Sequence, residues 1–476
     1  MFIGRENELK LLNDRYRSQN AEFAVLYGRR RVGKTELLRH FSLDKDAFFY
    51  TCNEYTDSRQ FEKFKDALCD FDPAFIKKAR GLRDWDELFR SLPELRHKGK
   101  LIVVIDEFPY MCAGDKSIPS VLQNAWDSVL KYSEIMLIIS GSSISFTEDE
   151  LLAAKNPLYG RATVIYKLLP LPFSDAVKFF PDYSAEDKVM AYAILGGIPH
   201  YLKQFSPDLS LMENIIKNIL TKGTALYGEV EYILHQELRE PTVYSTILEV
   251  IATGANKYNE IAQKARLDSG KLNFYLKGLL ELGLVQKELP AAATDKELAN
   301  RSAGEYRVCD NYFRFWFAFC YGNITELEKG GAQELWDYEI ENELHRFCSR
   351  AFEEVCTDWL RAERKAGRAP FPFLNIGRWW GNVRHTDETG KPFTSTEEID
   401  ILAYNKDKTA CIIGECKFRN SPFDHDQLLR LRKKLDLRGV EAYYYLFSLS
   451  GFTAAVSNEE NEHLMLVPID KITNIS

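Results

Sequence analysis

Phe23-Ala24-Val25-Leu26-Tyr27-Gly28-Arg29-Arg30-Arg31-Val32-Gly33-Lys34-Thr35-Glu36-Leu37-Leu38 decides the reading of the first third of the chain. Residues 23–27 are apolar without alternation, which predicts a strand buried on both faces. The stretch that continues to Phe41 predicts a helix. Between them, Gly28, Gly33, Lys34 and Thr35 fill a G-x-x-x-x-G-K-[ST] pattern completely, in the strand–turn–helix setting the pattern requires. Glycine lets the backbone N–H groups of Gly28, Arg29, Arg30, Arg31, Val32 and Gly33 close around phosphate oxygens, at the positive end of the following helix.

Such a P-loop implies ATP and Mg2+ as cofactors: Lys34 reaches the β- and γ-phosphates, and Thr35 holds the magnesium. Leu101-Ile102-Val103-Val104-Ile105-Asp106-Glu107 supplies the complement. Asp106 ends an apolar strand where it can bind magnesium through water, and Glu107 beside it can orient an attacking water. Ile138-Ile139-Ser140-Gly141-Ser142-Ser143 ends a further strand in hydroxyls; Ser140 and Ser142 are either γ-phosphate sensors or a polar strand end. Arg161 either supplies positive charge to the transition state, in cis or from a second copy in a homo-oligomer, or forms a surface salt bridge. Strand-like runs at 23–27, 47–50, 101–105 and 135–139, separated by helix-length stretches, predict a parallel sheet covered on both faces.

Beyond Leu171 the pattern turns helical, predicting a helical lid over 171–235 beside a P-loop domain at 1–170. Over 236–320, Ile247, Leu248 and Ile251 mark one helix and Ile261 and Ala262 a second. A third runs from Ser269 to Leu282 with Leu272, Leu276, Leu279 and Leu280 inward. Pairing of 284–287 with 306–308 then completes a winged helix-turn-helix plan, which serves either for DNA contact or as a protein joint. Over 335–476 a long helix carries Ile340, Leu344, Phe347, Ala351, Val355 and Trp359. Strand-like runs follow at 399–404, 410–418 and 442–447, so this is a separate α/β domain.

Glu415 and Lys417 alternate on one strand and so share a face, with Cys416 turned away. Asp400 lies on the preceding strand and can meet them. Asp400 and Glu415 together suit a hard cation, and Lys417 suits a phosphate or a nucleophile. The alternative is a surface charge cluster, or a fold that keeps these residues for binding only. Arg430, Arg432, Lys433, Lys434 and Arg438 either follow a phosphate backbone or form a solvated helix face.

The 476 residues carry a net charge of −8, which argues against bulk nucleic-acid binding but allows a local basic face. No apolar run is long enough to span a bilayer, and the opening stretch lacks a signal peptide's apolar core, so no membrane association and a cytoplasmic setting are expected. The nine scattered cysteines contain no Cys-x-x-Cys pair and are expected to be free thiols.

The series Phe2-Ile3-Gly4-Arg5-Glu6, the P-loop, Asp106-Glu107, Ser140-Gly141-Ser142-Ser143, Pro157-Leu158-Tyr159-Gly160-Arg161 and Gly196-Gly197-Ile198-Pro199 resembles the archaeal-type ATPases of the STAND class. The resemblance implies an AAA-like domain followed by a winged helix, with ATP acting as a slowly hydrolysed switch. It also implies that Gly4 and Arg5 lie near the adenine and that Pro199 in the lid senses the base. In the last third, Asp400 and Glu415-x-Lys417, with Glu353 as the helix acid and Glu354 its competitor, resemble the restriction-endonuclease-like nucleases. Such a domain is found appended to archaeal-type STAND ATPases. The combined expectation is an ATP-hydrolysing switch coupled to a metal-dependent nuclease acting on nucleic acid, DNA first. The alternative is a regulatory ATPase or scaffold with a C-terminal domain that does not cut.

Overall fold

The computed structural model describes residues 2–142, 156–291, 304–386, 391–435, 437 and 439–473. Ser143 and Arg438, named above, lie outside the described residues. The chain divides into two compact units, Met1–Leu171 with Ile198–His200, and Pro172–Gly197 with Tyr201–Ser476.

The first unit holds β1 (Glu22–Tyr27), β2 (Ala47–Thr51), β3 (Leu101–Asp106), β4 (Ile135–Gly141) and β5 (Val164–Lys167). They form one parallel sheet in the order β2-β3-β4-β1-β5. Because successive side chains point to opposite faces, each apolar strand feeds two cores. Phe23, Val25, Val103, Ile105, Leu137 and Ile139 enter one. Ala24, Leu26, Ile102, Val104, Met136 and Ile138 enter the other, where the helix Lys34–Ser42 packs through Leu37, Leu38 and Phe41. Strand β5 has no counterpart among the expected strands. It is a short edge strand whose Ile165 is exposed while Val164 is buried, so it lacks the continuous apolar signal of the other four.

In the second unit, helices Pro241–Ala252, Tyr258–Lys264 and Ser269–Glu281 precede an antiparallel hairpin of β6 (Val285–Glu288) and β7 (Glu305–Val308). Leu272, Leu276 and Leu279 are buried as expected, but Leu280 is not: it is 38% exposed, while Tyr275 takes an inward place. The reason is helical geometry, since Leu272, Leu276 and Leu279 share a face that Leu280 overshoots by one residue. The aromatic stretch at 312–317 lies in a buried helix that runs into a π-turn, Trp316–Cys320.

The helix Glu341–Lys365 buries Leu344, Cys348, Ala351, Phe352, Val355 and Trp359 along one stripe. Phe352 packs its ring 5.2 Å from Phe418, and Trp359 packs 5.8 Å from Phe447. Both partners belong to a mixed sheet of β8 (Ile376–Thr386), β9 (Pro392–Tyr404), β10 (Ala410–Lys417), β11 (Glu441–Ser448) and β12 (Leu464–Pro468), or to its immediate continuation. The sheet order is β12-β11-β10-β9-β8. Pairings β10/β11 and β11/β12 are parallel, and β9/β10 and β8/β9 antiparallel.

Gly414 lies opposite Ile401 in the β9/β10 ladder. A Cβ at Gly414 would sit 2.8 Å from that of Ile401, inside van der Waals contact. Gly414→Ala is therefore expected to force the two strands apart and destabilise the second unit by about 1–3 kcal/mol. Scanning calorimetry checks this; a midpoint equal to that of the wild type would mean that the close approach carries no constraint.

Candidate functional site

The P-loop leaves the carboxyl end of the central strand β1. A Cβ on Gly28 would meet the Leu168 carbonyl oxygen at 2.4 Å, so only glycine lets the loop pass β5's end. Gly33 turns into the helix with φ 96°, a conformation that costs glycine little. Lys34 is buried, and its Nζ donates to the carbonyl oxygens of Gly28 and Arg29 at 2.9 and 3.1 Å. Thr35 Oγ1 donates to Asp106 Oδ2 at 2.7 Å. Ser140 Oγ donates to the other oxygen, Asp106 Oδ1. Asp106 thus sits fully buried between the hydroxyls of two neighbouring elements. Glu107 leaves the strand in a left-handed conformation, φ 53°, and its Oε2 accepts from the Ser142 N–H at 3.1 Å and from Ser142 Oγ at 2.8 Å.

The structure therefore brings Lys34, Thr35, Asp106, Glu107, Ser140 and Ser142 to the carboxyl ends of adjacent parallel strands, where ligands bind in open α/β sheets. Pro199 joins them: its Cγ lies 3.7 Å from the position of a Cβ on Gly33. Arg5, buried, donates to the Val32 carbonyl oxygen at 3.0 Å and pairs with Glu8 at 3.1 Å, so it braces the loop from behind. Arg30 donates to Tyr110 Oη at 3.1 Å. Arg161 pairs with Asp127 at 3.0 Å and donates to the Tyr159 carbonyl oxygen, the arrangement of a surface ion pair.

A second cluster forms on β9 and β10. The Cys416 N–H donates to Asp400 Oδ2 at 2.8 Å, which seats Asp400 beside Glu415. Glu415 is buried, and its two oxygens accept from Lys417 Nζ at 2.5 Å and Lys434 Nζ at 2.8 Å. Burial pushes the Glu415 carboxyl up, but the two ammonium groups prevail and hold it below its ordinary value. Among the described residues, Asp400 accepts from that one N–H. Burial first, then the negative charges of Glu415 and Glu353, push it up to about 7 from its ordinary 3.8. Glu353, from the helix Glu341–Lys365, is paired with Arg350 at 2.7 Å and lies 3.7 Å from Arg378. Glu354, the alternative helix acid, faces Arg307. Among the described residues no group of three or more His, Cys, Asp or Glu is arranged to hold a metal ion.

Residues 2–205 match a family described as "ATPase domain predominantly from Archaea". Residues 316–430 match one described as "Archaea bacterial proteins of unknown function". An uncharacterized protein of Methanocaldococcus jannaschii is 31% identical over 473 residues, which cover 99% of this chain and 99% of that protein. The chain belongs to this archaeal ATPase family. A short segment of the ATPase is also 44% identical over 45 residues to an uncharacterized ATP-binding protein of the same archaeon, covering 10% of this chain and 76% of that one. A Walker-type ATPase of Pyrococcus abyssi shares the fold, with a TM-score of 0.51 at 21% identity over 67% of this chain and 96% of that one. No helix among the ATPase's described residues is long and apolar enough to cross a membrane. None of its nine cysteines is in a disulfide.

Two groups near the second cluster escape a motif reading. Lys434 belongs to a basic run that reads either as a phosphate-following stretch or as a solvated face, yet it turns inward to Glu415. Arg350 lies three residues before Glu353 on the long helix, a spacing that places both on one face and is the one signal available for it.

The raised Asp400 gives a pH test. Its charge is imposed at a cost above about pH 7, and the cost is relieved as pH falls from there toward the ordinary carboxylate range. In EDTA, Asp400→Asn is expected to melt higher than the wild type near pH 8, with the gap closing toward about pH 5. Thermal melts across that range check this; a gap independent of pH would mean that Asp400 is not strained by its neighbours.

Proposed function

We propose that this ATPase is an ATP-hydrolysing switch coupled to a metal-dependent nuclease in its C-terminal part. The observation that carries the nuclease half is the convergence of Asp400, Glu415 and Lys417 on one sheet face, with Glu353 close enough to raise Asp400.

At the P-loop, backbone N–H groups of residues 28–33 would hold the phosphates, and Lys34 would exchange its carbonyl partners for phosphate oxygens. Thr35 and Asp106, already hydrogen-bonded to each other, are the pair that would hold Mg2+, which neutralises phosphate charge when bound. Glu107, held by Ser142, would orient water and take its proton, and Ser140, bonded to Asp106, would keep that carboxylate aimed. Pro199 against Gly33 suits a lid residue that follows the state of the loop.

At the second cluster, Asp400 and Glu415 are the carboxylates that would hold a divalent ion, which supplies positive charge to a phosphodiester when bound. Burial, and then repulsion from Glu415 and Glu353, raise Asp400, and such an ion would offset both. Lys417 and Lys434 then become free to contact phosphate or to steady a nucleophile. The three helices and hairpin over 241–308 read as a winged helix, with Lys271, Asn273 and Lys277 on the exposed face of its third helix. DNA is the nucleic acid that this arrangement suits best.

A second reading has its own observation. Glu415 is neutralised on both oxygens by lysines, which favours a C-terminal part that binds nucleic acid or protein without cutting.

Lys34→Ala is expected to weaken nucleotide binding by a large factor, since one ammonium contact to phosphate is worth about 1.5–3 kcal/mol. Glu107→Gln is expected to retain binding and lose turnover. Fluorescent-nucleotide titration and phosphate release check both; wild-type turnover in Glu107→Gln would remove that residue from the chemistry.

Asp400→Ala is expected to abolish Mg2+-dependent nicking of plasmid while ATP hydrolysis continues. If the ATPase gates the nuclease, nicking by the intact chain changes with nucleotide and that response vanishes in Lys34→Ala. Nicking that survives Asp400→Ala would exclude the nuclease assignment.

A further inference from the structure

The hairpin β6–β7 carries two carboxylates toward the second cluster. Glu288 pairs with Arg350 at 2.5 Å, and Glu305 lies 3.5 Å from Arg378. Each of those arginines also faces Glu353, Arg350 at 2.7 Å and Arg378 at 3.7 Å. A reciprocal pair runs the other way, from Arg307 on β7 to Glu354 on the long helix. The chain just beyond β6 is tied down by a backbone bond, Ala291 N–H to the Arg378 carbonyl oxygen at 2.6 Å. Glu288, Arg307, Arg350, Glu353, Glu354 and Arg378 wall a cavity of about 270 Å³ that also reaches Asp400.

This contact is unusual for a joint between structural elements. Such joints are mostly apolar, because part-buried ion pairs return little net stability for the desolvation they cost. Here the joint is made of arginines and carboxylates around a polar cavity. Arginine's planar fork is matched to carboxylates and to phosphodiesters by the same geometry. An arginine shared between a cluster acid and a hairpin acid is one that a phosphate could claim if the hairpin acid withdrew.

We propose that Arg350 and Arg378 are a phosphodiester-binding pair at the mouth of the Asp400 cluster, and that Glu288 and Glu305 of the hairpin occupy them as internal stand-ins for phosphate. The inference rests on the nucleic-acid reading of the C-terminal cluster and adds its self-blocking. In this arrangement the hairpin closes the cluster to a polyanion, and nucleic acid must displace its two carboxylates to enter, together with Glu398 of β9, which pairs with Arg378 at 3.1 Å. Lys417 and Lys434, both held by Glu415, complete the set of cations that a nucleic-acid backbone would meet inside.

The test uses the full chain and a short fluorescein-labelled DNA duplex, with anisotropy read in EDTA so that no cleavage intervenes. Glu288→Gln with Glu305→Gln is expected to bind the duplex about tenfold more tightly than the wild type, because two competing charged partners are gone. Adding Arg350→Ala and Arg378→Ala to that variant is expected to abolish the gain and to flatten the salt dependence of binding. Should the doubly substituted chain lose its cooperative melt, Glu288→Gln alone decides the question, since Glu288 is only part-buried. Unchanged affinity in a folded variant would overturn the proposal, as would a gain that persists without the arginines. Nicking with Mg2+ is read on the same proteins. Tighter binding without nicking keeps the hairpin block and removes the nuclease, whereas nicking without a change in affinity does the reverse.

Discussion

A carboxylate inside an apolar sheet is costly unless donors or cations surround it. Both large sheets of this chain bury one, and the local structure supplies its partners. In the first unit Asp106 ends a strand that is buried along its whole length, and two hydroxyls, Thr35 and Ser140, reach it from the P-loop helix and from β4. In the second unit Glu415 lies near the end of a buried strand and draws in Lys417 and Lys434, while Asp400 accepts from the Cys416 backbone N–H. The first site is satisfied by neutral groups that a cation can join. The second is satisfied by ammonium groups that a cation would have to replace. That difference separates an ATPase centre, in keeping with the family of the chain, from a second centre whose chemistry is proposed.

Much of the first unit is legible because its strands are long enough in apolar residues to be read without a partner. Phe23–Tyr27 and Leu101–Ile105 can only be central parallel strands, and the P-loop pattern between β1 and its helix fixes their direction. Val164–Lys167 is not legible, since an edge strand buries only alternate residues and four residues give too short a period. The other sheet's edge strand β8 is longer but is also not legible, since its Gly377-Arg378-Trp379-Trp380 reads as polar and aromatic rather than as a strand. In the helix Ser269–Glu281, Leu280 and Tyr275 exchange places because a leucine-rich run overspecifies which of its residues face inward.

The site residues divide in the same way. Lys34, Thr35, Asp106 and Glu107 are spaced by local backbone geometry, so a pattern finds them. Asp400, Glu415 and Lys417 follow from strand alternation and one hairpin. Arg378 and Lys434 depend on how a strand and a loop pack in three dimensions, which short-range spacing does not encode, and Arg350 has only its spacing to Glu353 to mark it. Arg161 shows the converse, since a motif position proposed for a charge role is engaged by Asp127 on a neighbouring helix.

If the second centre is a nuclease, Asp400 and Glu415 must accept a divalent ion despite the two lysines on Glu415. Calorimetric titration of Mn2+ into the nucleotide-free chain measures this directly. Saturable binding that disappears in Glu415→Gln is the expected result. Equal heats from the wild type and from Glu415→Gln would contradict it, and would leave a cluster of charges that binds without cutting.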